Sequence, residues 1–422
     1  MVKPGYKQTE IGVLPESWDT ITFEECFFIL PNNTLSRAEL NYNSGEVRNI
    51  HYGDILVKFP AVLDCFAARL PYINQENVTK ASKGFLRDGD LIMADTAEDV
   101  IVGKSTEVIG IGDSKVVSGL HTIPCRPKNA EMFAAKWLGY FINHCTYHDQ
   151  IIPYITGIKV SSVSKSAISN TVIAVPPKPE QEAIAEALTD IDTLIVNLEK
   201  LIAKKKAIKQ GAMQELLTGK RRLPGFYDEW IDSRIGDICE LVSGGTPSTS
   251  VAEYWDGDIA WCTPTDITGC NEKYLYKTAD SITLHGLTNS AATILPEGAL
   301  LLCTRATIGA VKIAAVPICT NQGFKSLVTH ESADNEWLYY AVQMLKKEMV
   351  SQAIGSTFLE ISKKALADIR IQLPSKEEQK AIASILSDMD SEISALEEKL
   401  TKARFVKSGM MSELLTGRIR LA

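Results

Sequence analysis

Gly103, Lys104 and Ser105 stand in the glycine–lysine–hydroxyl order of a phosphate-cradling loop. Such a loop also needs a glycine five residues before its second one, and Glu98 stands there. Asp113 and Lys115, with Asp95 or Asp99 upstream, supply the residue types of a metal-dependent nuclease. An Asp-x-Lys triplet is common by chance, however, and also reads as an ordinary polar loop. His144 and His148 lie one helical turn apart, the spacing of two zinc ligands. The glutamate that would follow the first histidine is Cys145 instead, which favours a packed or solvent-facing pair. Methyl transfer calls for a glycine-rich cofactor loop and an Asn/Asp-Pro-Pro-aromatic run, but Pro176-Pro177 is flanked by Val175 and Lys178. No motif is completed, so the chain is expected to be non-catalytic, with no metal and no cofactor of its own.

Binding a polyanion such as DNA, the role implied by the family resemblance described below, would draw on other residues. Phosphates take lysine and arginine, while base edges take arginine, asparagine, glutamine, serine and threonine. In the first half of the chain the candidates are Lys58, Arg69, Thr96, Lys104, Lys159, Ser161 and Ser162. In the second half they are Thr246, Ser248, Thr263, Thr304, Arg305, Thr307, Ser356 and Thr357, which lie in polar turns marked by glycine or proline. The charge balance opposes tight binding. The whole chain carries −8, and Asp228 to Leu373 has 11 basic and 18 acidic residues, net −7. The isolated chain is therefore expected to bind DNA weakly.

These residues are positioned by a sequence that contains one long stretch twice. Pro176–Leu223 and Pro374–Leu421 align without a gap at an offset of 198, with 24 of 48 positions identical. Ile184, Leu188, Ile191, Ile195, Leu198 and Ile202 step by four and three, as do Ile382, Leu386, Met389, Ile393, Leu396 and Leu400. That spacing predicts two helices whose seams each want a partner. Pro179 suits a first turn, Ser375 with Glu378 forms a capping box, and Gly219 and Gly417 supply the stops. Each helix is then about 57 Å long. Each copy is acidic in its first half and basic in its second, so the pair should attract when antiparallel. A basic half could also serve as a nucleic-acid patch. A later apolar row, Met213, Leu216 and Leu217 with Met411, Leu414 and Leu415, either docks partner proteins or packs on the neighbouring globular region.

The helices alternate with two globular regions, or heads, that are themselves diverged copies. Leu86-Arg-Asp-Gly-Asp-Leu-Ile-Met93 answers Leu295-Pro-Glu-Gly-Ala-Leu-Leu-Leu302. A helix over Ala130–Cys145 answers one over Asp334–Met349. The expected division is 1–175, 176–223, 224–373 and 374–422. The expected fold is α+β, with two pseudo-twofold-related globular domains (target-recognition domains, in the terms of the resemblance given below) separated by two long antiparallel helices forming a coiled coil. Two related heads at a fixed spacing suit a polymer with a regular repeat, such as duplex DNA. The nine cysteines form no C-x-x-C pair, which fits a reducing, cytoplasmic setting, and no apolar run is long enough to span a membrane.

Three features make the chain resemble the specificity subunit of a type I restriction-modification enzyme. They are Ser243-Gly-Gly-Thr-Pro-Ser248 with Tyr254–Trp261, Thr304-Arg-Ala-Thr-Ile-Gly309 with Thr320-Asn-Gln-Gly-Phe324, and the repeated Glu-Gln-x-Ala-Ile-Ala … Leu-Leu-Thr-Gly helix. The first head departs from the pattern, with Asn32-Asn-Thr-Leu-Ser36 and Ala94-Asp-Thr-Ala-Glu-Asp99 in the corresponding places. The resemblance implies a non-catalytic reader of double-stranded DNA, each head taking half of a bipartite, asymmetric site. It implies that the helices act as ruler and dock for two modification (methyltransferase) subunits carrying S-adenosylmethionine. Restriction/translocase subunits would complete the assembly.

Overall fold

A computed structural model describes residues 2–81, 83–157, 160–355 and 359–421. The chain divides into two compact units, Met1–Leu198 with Lys399–Ala422, and Glu199–Glu398. Each unit holds one head and half of each long helix. The helices run Lys178–Leu216 and Lys376–Leu414, 39 residues each. They stop where Gly219 and Gly417 adopt φ of 69° and 66°, left-handed values that a glycine takes without strain.

Within each unit the two helix halves are antiparallel. In the first, Asp192 pairs with Lys407 at 2.6 Å and Glu180 with Arg420 at 2.5 Å, so numbers rise on one helix as they fall on the other. In the second, Glu378 meets Arg222 at 2.7 Å, Asp390 meets Lys209, and Glu397 meets Lys206 at 2.7 Å. The acidic first halves thus lie against basic second halves. Ile184, Leu188, Ile382 and Leu386, at the start of the two seams, are buried among the heads' aromatic residues.

Three contacts, each made once per unit, fasten head to helix. Trp18 Nε1 donates to Glu180 at 2.9 Å, and Trp230 Nε1 donates to Glu378 at the same distance. Tyr140 donates its hydroxyl to Asp192 at 2.9 Å, as Tyr340 does to Asp390 at 2.7 Å. The amides of Ala134 and Asp334 donate to Gln181 and Gln379 at 2.9 and 2.7 Å. The capping box expected at Ser375 is half made. The Glu378 amide reaches Ser375 Oγ at 3.4 Å, while its carboxylate turns to Arg222 and Trp230.

Each head is built on a five-stranded sheet of one plan. The first has the order Phe27–Ile29, Thr122–Pro127, Leu91–Ala94, Ser105–Ile109, Val62–Asp64. The second has Cys239–Ser243, Lys325–Thr329, Leu300–Leu302, Val311–Ala314, Tyr274–Leu275. Both are antiparallel except for the last pair, which is parallel. The flanking sheets differ, with four strands in the first head and three in the second.

The helix expected over Ala130–Cys145 is shorter, covering Trp137–Ile142 and then Cys145–His148. Its counterpart starts on the N-cap Asp334, whose carboxylate accepts from the Trp337 amide, and covers Asn335–Met344 and Lys346–Ser351. Ala134 stands in place of Asp334, so the first head lacks that cap, and Lys136 enters the helix at φ 75°. The buried Glu107 carboxylate caps it from the sheet instead, accepting from the Lys136 and Gly139 amides at 2.6 and 2.9 Å. Burial pushes this carboxyl from 4.5 up to about 7. The folded state therefore holds a proton that the unfolded chain releases above about pH 4.5. Its contribution is complete below that value and is lost as pH rises toward 7, amounting to about 3 kcal/mol. Denaturant titrations of the parent should show this decline between pH 5 and 8, and Glu107→Ile should remove it. Equal slopes in the two proteins would contradict the assignment.

Candidate nucleic-acid interface

One end of each central sheet carries the same crossing of two loops. In the first head Thr96–Ala97 pairs antiparallel with Ser161–Ser162, Thr96 opposite Ser162. In the second head Arg305, which holds the place of Thr96 counted from the matched Leu91 and Leu300, bridges to Glu360. The scaffold is shared, and the side chains on it differ.

Around the first crossing, Thr96 Oγ1 donates to Asp95 at 2.8 Å and lies 3.3 Å from His121 Nδ1. The His121 ring also stands 3.4 Å from Asp95 and edge-on to Tyr52, with centroids 5.2 Å apart. Around the second, the Thr246 hydroxyl donates to Gln322, and Asn321 Oδ1 accepts from the Gly323 amide at 2.9 Å. Thr263 caps the short helix Pro264–Gly269, bonding Asp266 at 2.7 Å, and Lys325 lies 3.6 Å from Glu360. His121 and Ala306, one beside each crossing, hold φ of 54° and 58°, a conformation non-glycine residues adopt mainly where surrounding structure enforces it. Gly244 and Gly245 are required here, since a Cβ would stand 1.9 Å from the Asn321 carbonyl oxygen at one and 2.3 Å from the Ala291 carbonyl carbon at the other. The first head has asparagines in that turn. Asn33 is buried and donates to Asn49 at 2.7 Å and to the Ser118 carbonyl at 2.9 Å.

The structure gathers Thr96, Ser161 and Ser162 at one crossing, and Thr246, Thr263 and Arg305 in the loops at the other. Ser248 is exposed, its hydroxyl 2.8 Å from that of Ser250. Thr307 is half-buried, its amide donating to the Arg305 carbonyl at 2.7 Å. Lys58 is exposed and pairs with Asp54 at 2.9 Å, beside Arg69, whose guanidinium lies 5.2 Å from the Tyr42 ring centre. Both line a cleft of about 320 Å³.

Two expected contacts are corrected. Lys104 turns inward, its ammonium donating to the Leu56 carbonyl at 2.8 Å, and burial holds its pKa below the ordinary lysine value. Thr304 is 0% exposed, with its hydroxyl bonded to the Gly323 carbonyl at 3.2 Å, so it braces the loop from within. Lys159, Ser356 and Thr357 fall outside the described residues. His121, Tyr52, Asn321, Gln322 and Glu360 were not selected from the sequence. Only Asn321 and Gln322 had a signal there, as part of the run that carries the resemblance.

The docking row is also corrected. Met213, Leu216 and Leu217 are buried in the second head's core with Trp337, and Leu414 and Leu415 in the first head's core with Trp18 and Trp137; Met411 packs against that core. The heads therefore cover these residues. The apolar side chains left open on the helices are Leu194, Val196, Leu201, Ile208, Phe405 and Val406, with Phe405 74% exposed. No helix among the described residues is long and apolar enough to cross a membrane.

Comparison with known proteins identifies this arrangement. The family described as type I restriction modification DNA specificity domain matches residues 15–210 and again 227–403. The type I restriction enzyme MjaIX specificity subunit of Methanocaldococcus jannaschii is 38% identical over 167 residues, a stretch covering 38% of each protein. The putative MjaX specificity subunit of the same organism is 25% identical over 442 residues, covering 99% of this chain and 97% of that one. The solved type I restriction-modification S subunit from M. genitalium shares the fold at a TM-score of 0.58 and 14% identity, over 94% of this chain and 96% of that one. A chain solved in work on complex assembly and conformational transition of the type I R-M system gives 0.58 at 18% identity, covering 96% and 99%. With its two heads matched in turn, this chain belongs to the type I restriction-modification DNA specificity family and is a DNA-recognition subunit of such a system.

Proposed function

We propose that each head reads one part of a two-part DNA site through its loop crossing. The observation that carries this reading is the shared scaffold with exchanged side chains, Thr96 opposite Ser162 in one head and Arg305 opposite Glu360 in the other. A pair of readers for unlike half-sites would need that combination. The chain itself is non-catalytic and works in the cytoplasm. Two modification subunits bring S-adenosylmethionine and the methyl-transfer chemistry, and restriction/translocase subunits join them for cleavage. The modification subunits dock on exposed apolar residues such as Phe405 and Val406 on the second helix and Leu194 on the first. They also supply much of the phosphate affinity, given the net charge of −8 in this chain.

The test is to co-express the chain with its modification subunits and map methylated positions in genomic DNA. The parent should give one bipartite motif. Arg305→Ala should lower methylation at least about tenfold and relax base choice in one half, matching the loss of one good base contact. Thr96→Ala with Ser162→Ala should change the other half alone. Changes in the same base pairs from both variants, or in none, would refute the proposal.

A further inference from the structure

The opposite end of the first head's central sheet holds a cleft of about 670 Å³. Strand Leu91–Ala94 separates it from the loop crossing, since Asp90 precedes the strand at the cleft and Asp95 follows it at the crossing. Two carboxylates in its wall, Asp90 and Glu107, are each 1% exposed. Arg126 grips Asp90 with Nε at 2.8 Å and Nη2 at 2.6 Å. The rim carries Arg87, Lys128 and Lys136, and Lys136 is the residue held at φ 75°. Phe28 is 57% exposed there, with the Lys128 ammonium 5.5 Å from its ring centre, and Phe133 lies deeper.

The second head is an internal control. Strand register places Ala299, Ile313 and Val328 where the first head has Asp90, Glu107 and Arg126. It places Glu240 where Phe28 stands, and counting from the matched Trp137 and Trp337 places Glu336 where Lys136 stands. The second head's own cleft beside these positions, about 540 Å³, is lined by Glu240, Pro296, Val328 and Lys363. The second head therefore forms the same sheet without buried ionisable groups or an open aromatic at these positions. The fold does not require them, and burying charge is costly.

We propose that this cleft, in the first head only, binds a mononucleotide-sized phosphate ester. The phosphate meets the Arg87, Lys128 and Lys136 rim, and the base lies against Phe28 and Phe133. The volume falls in the range of small-ligand sites, and the buried groups, already satisfied by each other and by backbone amides, give the floor a fixed shape.

Titrating the full chain with AMP by calorimetry tests this, with adenosine and inorganic phosphate as separate arms. AMP should bind saturably below millimolar concentration, and each fragment should bind at least about tenfold more weakly. Arg87→Glu with Lys128→Glu should remove binding while leaving the melting temperature and the methylated DNA motif unchanged. Phe28→Ala should weaken AMP without changing phosphate binding. No saturable AMP binding, equal binding by the double variant, or displacement of AMP by duplex DNA would overturn the proposal. Displacement would instead assign the cleft to the DNA surface, whereas failure of DNA reading itself would appear in the methylation map.

Discussion

Leu415→Asp will strip the first unit of most of its stability. Leu415 is 0% exposed and packs in one cluster with Leu14, Trp18, Trp137 and Ile184. Removing its burial costs about 2–3 kcal/mol, and an unpaired carboxylate in that place costs several more. Total stabilities run about 5–15 kcal/mol, so the change takes most of the margin. Far-UV circular dichroism and limited proteolysis should show the loss directly, and a parent-like melt would refute the packing. Phe405→Ser, on the same helix at 74% exposure, should shift stability by no more than about 0.5 kcal/mol. The contrast matters for partner mapping. Loss of co-purification in Leu216→Asp would report a damaged core, whereas the same loss in Phe405→Ser or Leu194→Ser would report a docking surface.

The long helices, their stops and their opposed charges were legible because period and repetition are one-dimensional signals. Apolar spacing shows that Leu216 and Leu414 are covered, but not by what; a neighbouring head and a partner protein write the same pattern. The loop crossings were harder to read for a related reason. Thr96 and Ser162 are paired by the fold of the whole head, and no local rule joins them. Lys104 shows the limit of charge as a guide, since a long flexible stem let it turn to a backbone carbonyl. The helix near Ala130 was overextended because Phe133 and Trp137 continue an apolar face across a break at Lys136. Glu180, Gln181, Glu378 and Gln379 were visible in both copies of the repeat. The glutamates' roles appear only when Trp18, Trp230 and the arginine after the opposite helix are brought beside them, and the glutamines' only when the amides of Ala134 and Asp334 are.

Those glutamates should be sensitive polar positions. Glu378 is 1% exposed and accepts from Arg222 at 2.7 and 2.8 Å and from the Trp230 indole at 2.9 Å. Glu378→Ala strands a half-buried indole N–H and a guanidinium that also lies 5.5 Å from the Trp230 ring centre. Leaving the half-buried indole without its acceptor costs about 1–3 kcal/mol, so the second unit should melt below the parent. Arg222→Leu should cost at least as much, because it leaves the Glu378 carboxylate, 1% exposed, with the Trp230 indole N–H as its remaining side-chain donor. The two changes share one network and cannot add. The double variant should lose less than the sum of the singles by at least about 1 kcal/mol. Strict additivity in chemical denaturation would mean that the glutamate and arginine act separately. Glu180, with Trp18 and Arg420, should give the same pattern in the first unit, because the repeat builds the same cluster there.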